Sequence, residues 1–444
     1  MQRAKLLLTR WKLSLQGTFK GEARFSRLFF TSIPVYLFLL YIYRVGSQRV
    51  DGGNNLPGPR DVGVYINAAI DILTGVNPYQ NSASRFGSFG PLPFILLSPF
   101  DATLAVAITQ MLGMVGFQYF IFTLSRMYFL RTNWLIPVIP LFASSRENLV
   151  TAQVTGILCG LIAIACAILL KEKTLLNTFL ASILFALVLD LKPHIFMFFS
   201  FVILICLGRV IVFFNAVFIM ICAHTSIDLL HGEFLEVSWF RTLGSIESKA
   251  SSGTFTDSHT FWPIISAMFG ETTVITIIST LLFCLIGVSS LFLSKSRALV
   301  NAPILALLAP AFSIYFHLYD LVIFACLVLA VLGTRLKPGK ELFLSFVVSQ
   351  CLQGTSFFSI SSYIFFLFSW IIFNFICRIS IYKWSTRLSL LGFFVSIGLN
   401  LLVGILVPGS FIHSARTSLV IMFLLLALLV INSRIRTFSQ ESDK

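Results

Sequence analysis

Long apolar runs follow one another along almost the whole chain, and they constrain its fold more than any other feature. A transmembrane helix needs about 20 consecutive apolar residues, with a range of roughly 17–25. The candidate runs are residues 28–43, 101–125, 134–145, 150–170, 174–190, 194–208, 210–227, 262–293, 298–316, 318–333, 341–357, 359–377, 388–407 and 415–432. Some are short, so we expect about 12–14 crossings. The predicted fold is an all-α integral membrane protein, a polytopic helical bundle.

The composition excludes a water-soluble protein of this size. Of the 444 residues, 57% are hydrophobic and only 11% are charged, whereas soluble domains carry about 25% charged residues. The eight cysteines lie inside or at the ends of apolar runs and form no CxxC pair. We therefore interpret them as buried apolar side chains and predict neither a disulfide framework nor a cysteine metal site.

The positions of Lys and Arg predict the orientation in the membrane, because cytoplasmic loops are enriched in both. With the N-terminus inside, the inner segments hold 23 of the 32 Lys and Arg residues and 5 of the 18 Asp and Glu residues. We therefore expect a basic cytoplasmic segment at 1–27, a transmembrane domain at 28–432 and a cytoplasmic tail at 433–444. The basic residues are scattered over short loops, so they do not indicate nucleic-acid binding.

Two long connections are predicted on the outer face, at 44–90 and 228–261, whereas most inner connections are only a few residues long. Long ordered loops in a compact protein usually have a function. We therefore expect any chemistry to lie on the outer side of the membrane.

The first outer loop contains a predicted amphipathic helix at 62–73. Its apolar positions recur every three or four residues, at Val62, Ile66, Ala69, Ile70 and Leu73. Asp61 stands in the N-cap position, Gly75 in the C-cap position, and Pro78 marks the end. Two interpretations of Asp61 remain open. It either caps the helix or serves as a general base at the rim of a membrane cavity.

The segment Phe89–Pro99 follows this helix and contains three prolines. Proline interrupts a helix because it lacks the backbone N–H and its ring collides with the preceding turn. We therefore expect a short kinked piece that re-enters the edge of the membrane before the run at 101–125.

Polar residues also stand at the outer ends of later runs. Asp190 and Lys192 form either a solvated turn or a cationic site for a lipid phosphate. His317 and Asp320 join two further runs, and His317 alone is typical of a hydrogen-bonded interfacial residue. Gln153 opens the run that contains the Gly156-x-x-x-Gly160 packing motif.

None of these sites is specific alone, but the hydrophobic pattern places them at one depth on one face. We expect one cavity to be lined by Asp61, Gln153, Lys192, His317 and Asp320.

The chain resembles the polyprenyl-phosphate-sugar-dependent membrane glycosyltransferases of the GT-C superfamily. The nearest branch is glycosyltransferase family 87, which includes bacterial mannosyltransferases and arabinofuranosyltransferases. The resemblance covers about residues 60–330. It is carried by the Asp61…Tyr65…Ala68…Gly75…Pro78-Tyr79 run and Phe89–Pro99, supported by Gln153, Lys192-Pro193 and Tyr319-Asp320.

The resemblance implies a GT-C-like bundle in the bacterial inner membrane that transfers a hexose or pentose unit on its outer face. The donor is a polyprenyl-phosphate sugar, and the acceptor is a glycolipid or glycan. Asp61 matches the position of the family's general base. Lys192 and His317 are the candidates for the donor phosphate, whereas Tyr65, Tyr79, Gln153 and Asp320 are candidates for sugar or acceptor contacts. No metal site and no cofactor are predicted.

This sequence departs from the family pattern at several points. Val62 replaces the usual aromatic residue after the Asp, and Phe89-Gly90-Pro91 replaces the usual Tyr-Pro-Pro. A polar stretch expected in the late outer loop appears as Asp257-Ser258-His259-Thr260. The departures leave the sugar and the acceptor undefined.

Two other classes of function remain as alternatives. A transporter or lipid-linked-sugar flippase predicts charged residues at mid-membrane depth and internal pseudo-symmetry. A structural or assembly membrane protein requires neither Asp61 nor a long ordered first loop.

Overall fold

A computed structural model of the protein describes residues 33, 60–79, 86–127, 148, 152–171, 174–235, 237–239 and 323. These residues are predominantly helical and include no strand, as the all-α prediction requires. The chain divides into two compact units, Met1–Glu247 and Ser248–Lys444, and nearly all of the described residues belong to the first.

Six α-helices and one 3-10 helix make up the described part of the first unit. The α-helices are α1 Arg60–Thr74, α2 Ala102–Met127, α3 Thr155–Lys171, α4 Leu175–Leu191, α5 Pro193–Cys206 and α6 Val210–His231. The 3-10 helix, Leu92–Leu97, lies between α1 and α2 and begins after Pro91. The sequence correctly predicted a helix at each of these places and a short kinked piece in the proline-rich segment.

Two of these helices are long and apolar enough to cross a membrane. They are the Ala102–Leu124 part of α2, with 23 residues, and α6, with 22. The helices α3, α4 and α5 are also apolar but are shorter. The predicted runs at 28–43 and 134–145, and those from 262 onward, lie outside the described residues.

Helices α2 and α3 pack at backbone distance through glycines. A Cβ on Gly160 would lie 2.8 Å from the Cα of Gly116, and a Cβ on Gly116 would overlap the Gly156 carbonyl. Gly113 contacts Gly156 in the same way. The GxxxG motif therefore allows the close helix packing that its spacing predicted, because only glycine permits so close an approach. The pairing of 113 with 156 and of 116 with 160 makes the two helices parallel.

A single residue, Lys192, joins α4 to α5. Its N–H donates to the Val188 carbonyl at the end of α4, and its own carbonyl accepts from the N–H groups of Ile195 and Phe196 in α5. Pro193 then occupies the first position of α5, where the missing N–H has no helical partner to lose. The joint is thus fixed by backbone hydrogen bonds on both sides.

Helix α6 is longer than predicted, because it extends to His231 and so includes the first residues of the connection predicted at 228–261. The apolar run was predicted to end at residue 227. In the structure the buried Asp228 carboxylate accepts from the Leu235 N–H at 2.9 Å, so the chain folds back over it. The helix ends instead at Gly232, whose φ of 68° suits glycine.

Helix α1 confirms the predicted amphipathic helix but corrects its buried face. The buried side chains are Val62, Tyr65, Ala68, Ala69 and Ile72. Ile70 and Leu73, predicted to face inward, are 37% and 61% exposed. Helix α1 carries two overlapping sets of apolar side chains. Contacts of Tyr65 with Phe86 and Phe94 bury the set that contains Tyr65.

The two ends of α1 behave differently from each other. Gly75 has φ 78° and Val76 donates to the Asp71 carbonyl, so the predicted glycine C-cap is confirmed. The helix begins at Arg60, however, and Asp61 lies in its first turn instead of the N-cap position.

Candidate functional site

The polar side chains of the described unit concentrate at one end of the helices. Hydrogen bonds bring together the start of α3, the junction of α4 with α5, the last two turns of α6 and the loop before the 3-10 helix. These are the places where the sequence predicted outer-face residues. The described structure therefore gathers them in one region, as the hydrophobic pattern indicated.

Lys192 is buried at this end, with 6% of its surface exposed. Its Nζ donates to Thr155 Oγ1 at 2.8 Å. Thr155 is the first residue of α3, so the lysine ammonium lies beside the N-terminus of that helix, two residues from Gln153. This burial contradicts the predicted solvated Asp–Lys turn, whereas the alternative, a cationic site for a lipid phosphate, stays a prediction.

Gln153 is also buried, and its N–H donates to the Asn148 carbonyl at 2.9 Å. The residue before it, Ala152, has φ 51°, in the left-handed region that residues with a Cβ rarely adopt. This unusual backbone delays the start of α3 to Thr155, whereas the apolar pattern predicted a start near 150. Such strained positions concentrate at functional sites.

Asp190 is the most deeply buried charged residue among those described, with 1% exposure. Its Oδ1 accepts from His224 Nε2 of α6 at 2.5 Å, and its Oδ2 accepts from the Gly90 N–H at 2.5 Å. Its backbone carbonyl accepts from the Gly87 N–H at 3.1 Å. One residue at the end of α4 thus binds both α6 and the loop that precedes the 3-10 helix.

The loop packs so closely against Asp190 and Leu191 that Gly87 and Gly90 have no room for a side chain. A Cβ on Gly87 would overlap the Asp190 carboxylate, and a Cβ on Gly90 would lie 2.6 Å from Leu191 Cγ. Real Cβ atoms do not approach other atoms this closely, so a side chain at either position would force the loop or the facing Asp190 and Leu191 side chains to move. The two glycines are therefore part of the site's construction.

Tyr65 and Tyr79 link the same loop to helix α1. The Tyr65 ring stacks on Phe86 and Phe94, with centroids 4.6 and 5.1 Å apart. The Tyr79 hydroxyl donates to the Phe86 carbonyl at 3.0 Å. Both tyrosines are buried, so each has a packing role; their contact with a sugar stays a prediction.

The end of α6 holds the other end of α1. His231 Nε2 donates to the Ile72 carbonyl at 2.6 Å, and the Asn77 side-chain amide donates to Ser238 Oγ at 3.2 Å. Trp239 contributes an edge-on contact with the His224 ring, at a centroid distance of 6.4 Å. The helix is therefore fastened to its surroundings at both ends.

Three predicted site residues cannot be placed with this cluster. The backbone of Asp61 belongs to α1, but its side chain lies outside the described part of the structure, as do His317 and Asp320. The structure thus brings together Tyr65, Tyr79, Gln153 and Lys192, while the predicted roles of the other three stay predictions.

Sequence reasoning missed the Asp190–His224 pair as an element of the site. A signal was present in both residues, because an ionisable side chain within or at the end of a membrane-length apolar run requires a partner. His224 is the only histidine inside the 210–227 run, and Asp190 ends the 174–190 run. Nothing local in the sequence, however, shows that the two are partners.

The chemistry available at this end is that of a buried ammonium, a buried carboxylate–imidazole pair, amide and hydroxyl groups, and aromatic faces. In the described part of the chain, no three His, Cys, Asp or Glu side chains come together to hold a metal ion. A fixed ammonium beside a helix N-terminus favours an anion such as a phosphate.

No protein-family model matches the sequence, and no curated protein or solved structure is significantly similar to it. The resemblance to GT-C glycosyltransferases therefore rests on the residues quoted for it above.

Proposed function

We propose that this chain is a polytopic membrane glycosyltransferase of GT-C type. It transfers a hexose, such as mannose, or a pentose from a polyprenyl-phosphate donor to a glycolipid or glycan on the outer face of a bacterial inner membrane. Its bundle has about 12–14 transmembrane helices and both termini in the cytoplasm.

The observation that supports this proposal best is the buried Lys192 ammonium at the polar end of the helices. Its Nζ lies within 2.8 Å of the first residue of α3 and within the cluster that contains Gln153. A donor with a phosphate leaving group needs a fixed positive charge where negative charge develops on the departing oxygen. An ionisable side chain buried between membrane-length apolar helices is a candidate functional residue.

In the proposed reaction the acceptor hydroxyl oxygen attacks the anomeric carbon of the donor sugar. The bond between that carbon and the phosphate oxygen breaks, and polyprenyl phosphate leaves with the electron pair. Asp61 accepts the proton of the attacking hydroxyl, in the role that the resemblance gives it. Lys192 and His317 stabilise the leaving phosphate, while Gln153 and Asp320 contact the sugar or the acceptor.

The position of the buried charges favours an enzyme over a transporter or flippase. In the described residues, Asp190, Lys192 and Asp228 lie at or within about one turn of a helix end, and the buried His224 lies two turns from the end of α6, beside Asp190. A transport path through the bilayer predicts ionisable groups near its middle. Charges confined to one end are suited to a site that receives a lipid-linked substrate from one leaflet.

The decisive experiment presents the purified full-length protein, in lipid nanodiscs, with radiolabelled polyprenyl-phosphate mannose and polyprenyl-phosphate arabinofuranose. We expect transfer or slow hydrolysis of one donor by the wild-type chain. Asp61→Asn is expected to reduce that rate at least about a hundredfold, because general base catalysis typically contributes 10²–10⁴-fold.

Asp71→Asn is the matched control, because it removes a carboxylate from the opposite end of the same helix. It is expected to retain the wild-type rate. Full activity of Asp61→Asn would refute the base assignment. Movement of intact donor between leaflets of a vesicle, without cleavage by the wild-type chain, would instead favour a flippase.

A further inference from the structure

We infer that Asp190 and His224 form a positioning pair that holds the first outer loop, and through it helix α1, against the rest of the site. The inference rests on the proposed function only where it concerns catalysis. Its structural part concerns contacts among Asp190, His224, the loop of residues 86–91 and α1.

The pair first fixes the loop. Asp190 uses both carboxylate oxygens and its backbone carbonyl, accepting from His224, from Gly90 and from Gly87. Hydrogen bonds to a buried charged acceptor are stronger than those between neutral groups. Because a leucine at this position would leave the Gly90 N–H and the His224 N–H without their acceptor, the loop depends on this carboxylate.

The loop then fixes α1. Phe86, the residue before Gly87, receives the Tyr65 ring at 4.6 Å and the Tyr79 hydroxyl at 3.0 Å. Tyr65 lies one turn from Asp61 on the same helix. A displacement of residues 86–90 therefore removes the support of the helix at the end that carries Asp61.

Helix α6 contacts both Asp190 and helix α1, so it connects the two ends of this series of contacts. His224 contacts Asp190, and two turns later His231 contacts the Ile72 carbonyl of α1. The same helix thus contacts the Asp190 carboxylate that holds the loop, and also the backbone of α1 at Ile72. Preorganisation of this kind is what keeps a catalytic group within reach of its substrate.

Hydrogen–deuterium exchange of the full-length protein in nanodiscs tests the inference without any substrate. Asp190→Leu removes the acceptors, whereas Gly87→Ala adds a Cβ that would overlap the Asp190 carboxylate while both members of the pair remain. We expect each variant to speed exchange about tenfold in peptides covering 86–97 and, in step, 62–74. Asp190→Asn keeps one acceptor for the Gly90 N–H and is expected to retain more protection than Asp190→Leu.

Two controls separate a local release from general unfolding. Gly63→Ala adds the same methyl group within α1, where a Cβ meets nothing within 4 Å. It should leave both peptides unchanged. Exchange of the α3 core, residues 158–169, should stay unchanged in every variant.

Three results would overturn the inference. They are unaltered exchange at 86–97, faster exchange there with 62–74 unaffected, and equal loss of protection in Asp190→Asn and Asp190→Leu. If Asp190→Leu does not fold, exchange measured on Gly87→Ala and Asp190→Asn still tests the inference.

The transfer assay with the same two polyprenyl-phosphate sugars tests the catalytic part of the inference. We expect Gly87→Ala to lower kcat at least about tenfold with the KM for the donor unchanged, because it displaces the base and not the phosphate site. An unchanged kcat would overturn the positioning role. If the wild-type chain transfers neither sugar, the proposed function fails while the exchange data still decide whether the pair holds α1.

Discussion

The backbone of Lys192 is fixed in place, because its N–H donates to helix α4 and its C=O accepts from helix α5. That anchoring, together with the hydrogen bond to Thr155 Oγ1, restricts where the ammonium can go. A lysine normally loses considerable rotamer freedom when it binds a ligand. Here much of that entropy has been lost on folding, which favours tight binding of an anion.

Replacement of Lys192 by Ala should therefore weaken donor binding more than acceptor binding. We expect the KM for the active polyprenyl-phosphate sugar to rise about 10–100-fold, because a charge-assisted contact contributes about 1.5–3 kcal/mol. Initial rates over a range of donor concentrations measure this change.

Lys171→Ala, at the opposite and exposed end of α3, provides the control for loss of a positive charge. It should leave the KM unchanged. A Lys192→Ala enzyme with the wild-type KM would remove Lys192 from the donor site.

At the scale of the helices, sequence patterns predicted where a helix lies better than they predicted which residues it contacts. The periodicity in 62–73 predicted α1, yet it selected the wrong buried stripe, because Phe86 and Phe94 decide which face is covered. The apolar run at 210–227 predicted α6, yet it ended too early, because the Leu235 N–H that satisfies Asp228 comes from the chain beyond. Each error arose from a partner distant from the pattern itself.

The glycine contact between α2 and α3 gives a prediction at this scale. Gly116→Ala should lower the free energy of unfolding by about 1–3 kcal/mol, because the new Cβ meets the rigid Gly156 backbone and the helices must separate. The thermal unfolding midpoint of the purified protein in detergent measures this loss.

Gly63→Ala again serves as the control, since it adds a methyl group to a helix in open space. It should retain or slightly raise the midpoint, because alanine favours helix more than glycine does. Equal midpoints for Gly116→Ala and the wild type would show that α2 and α3 do not approach so closely.

For the whole molecule, composition predicted a helical chain with membrane-length segments, and the described helices agree. The site was harder to predict. Lys192 and Gln153 were found because each stands at the end of an apolar run, but the pairing of Asp190 with His224, 34 residues apart, is a tertiary contact that no single-sequence pattern contains.

The predicted topology can be tested on the whole chain. A green fluorescent protein fused after Lys444 should fluoresce, because the tail is expected in the cytoplasm. Alkaline phosphatase inserted after Ser252, in the second long loop, should be active because that loop is expected outside. The reciprocal fusions should be inactive, and the opposite pattern would overturn the orientation.

The junction of α4 with α5 restricts how this chain can change in length. Because Lys192 alone ends one helix and begins the next, no linker is present to absorb an inserted residue. One additional residue after Lys192 would turn every side chain of α5 by about 100° around its axis. Phe196 and Phe199, now almost completely buried, would then leave the core. Relatives of this protein should accordingly tolerate substitutions along α5 far better than insertions or deletions at its start.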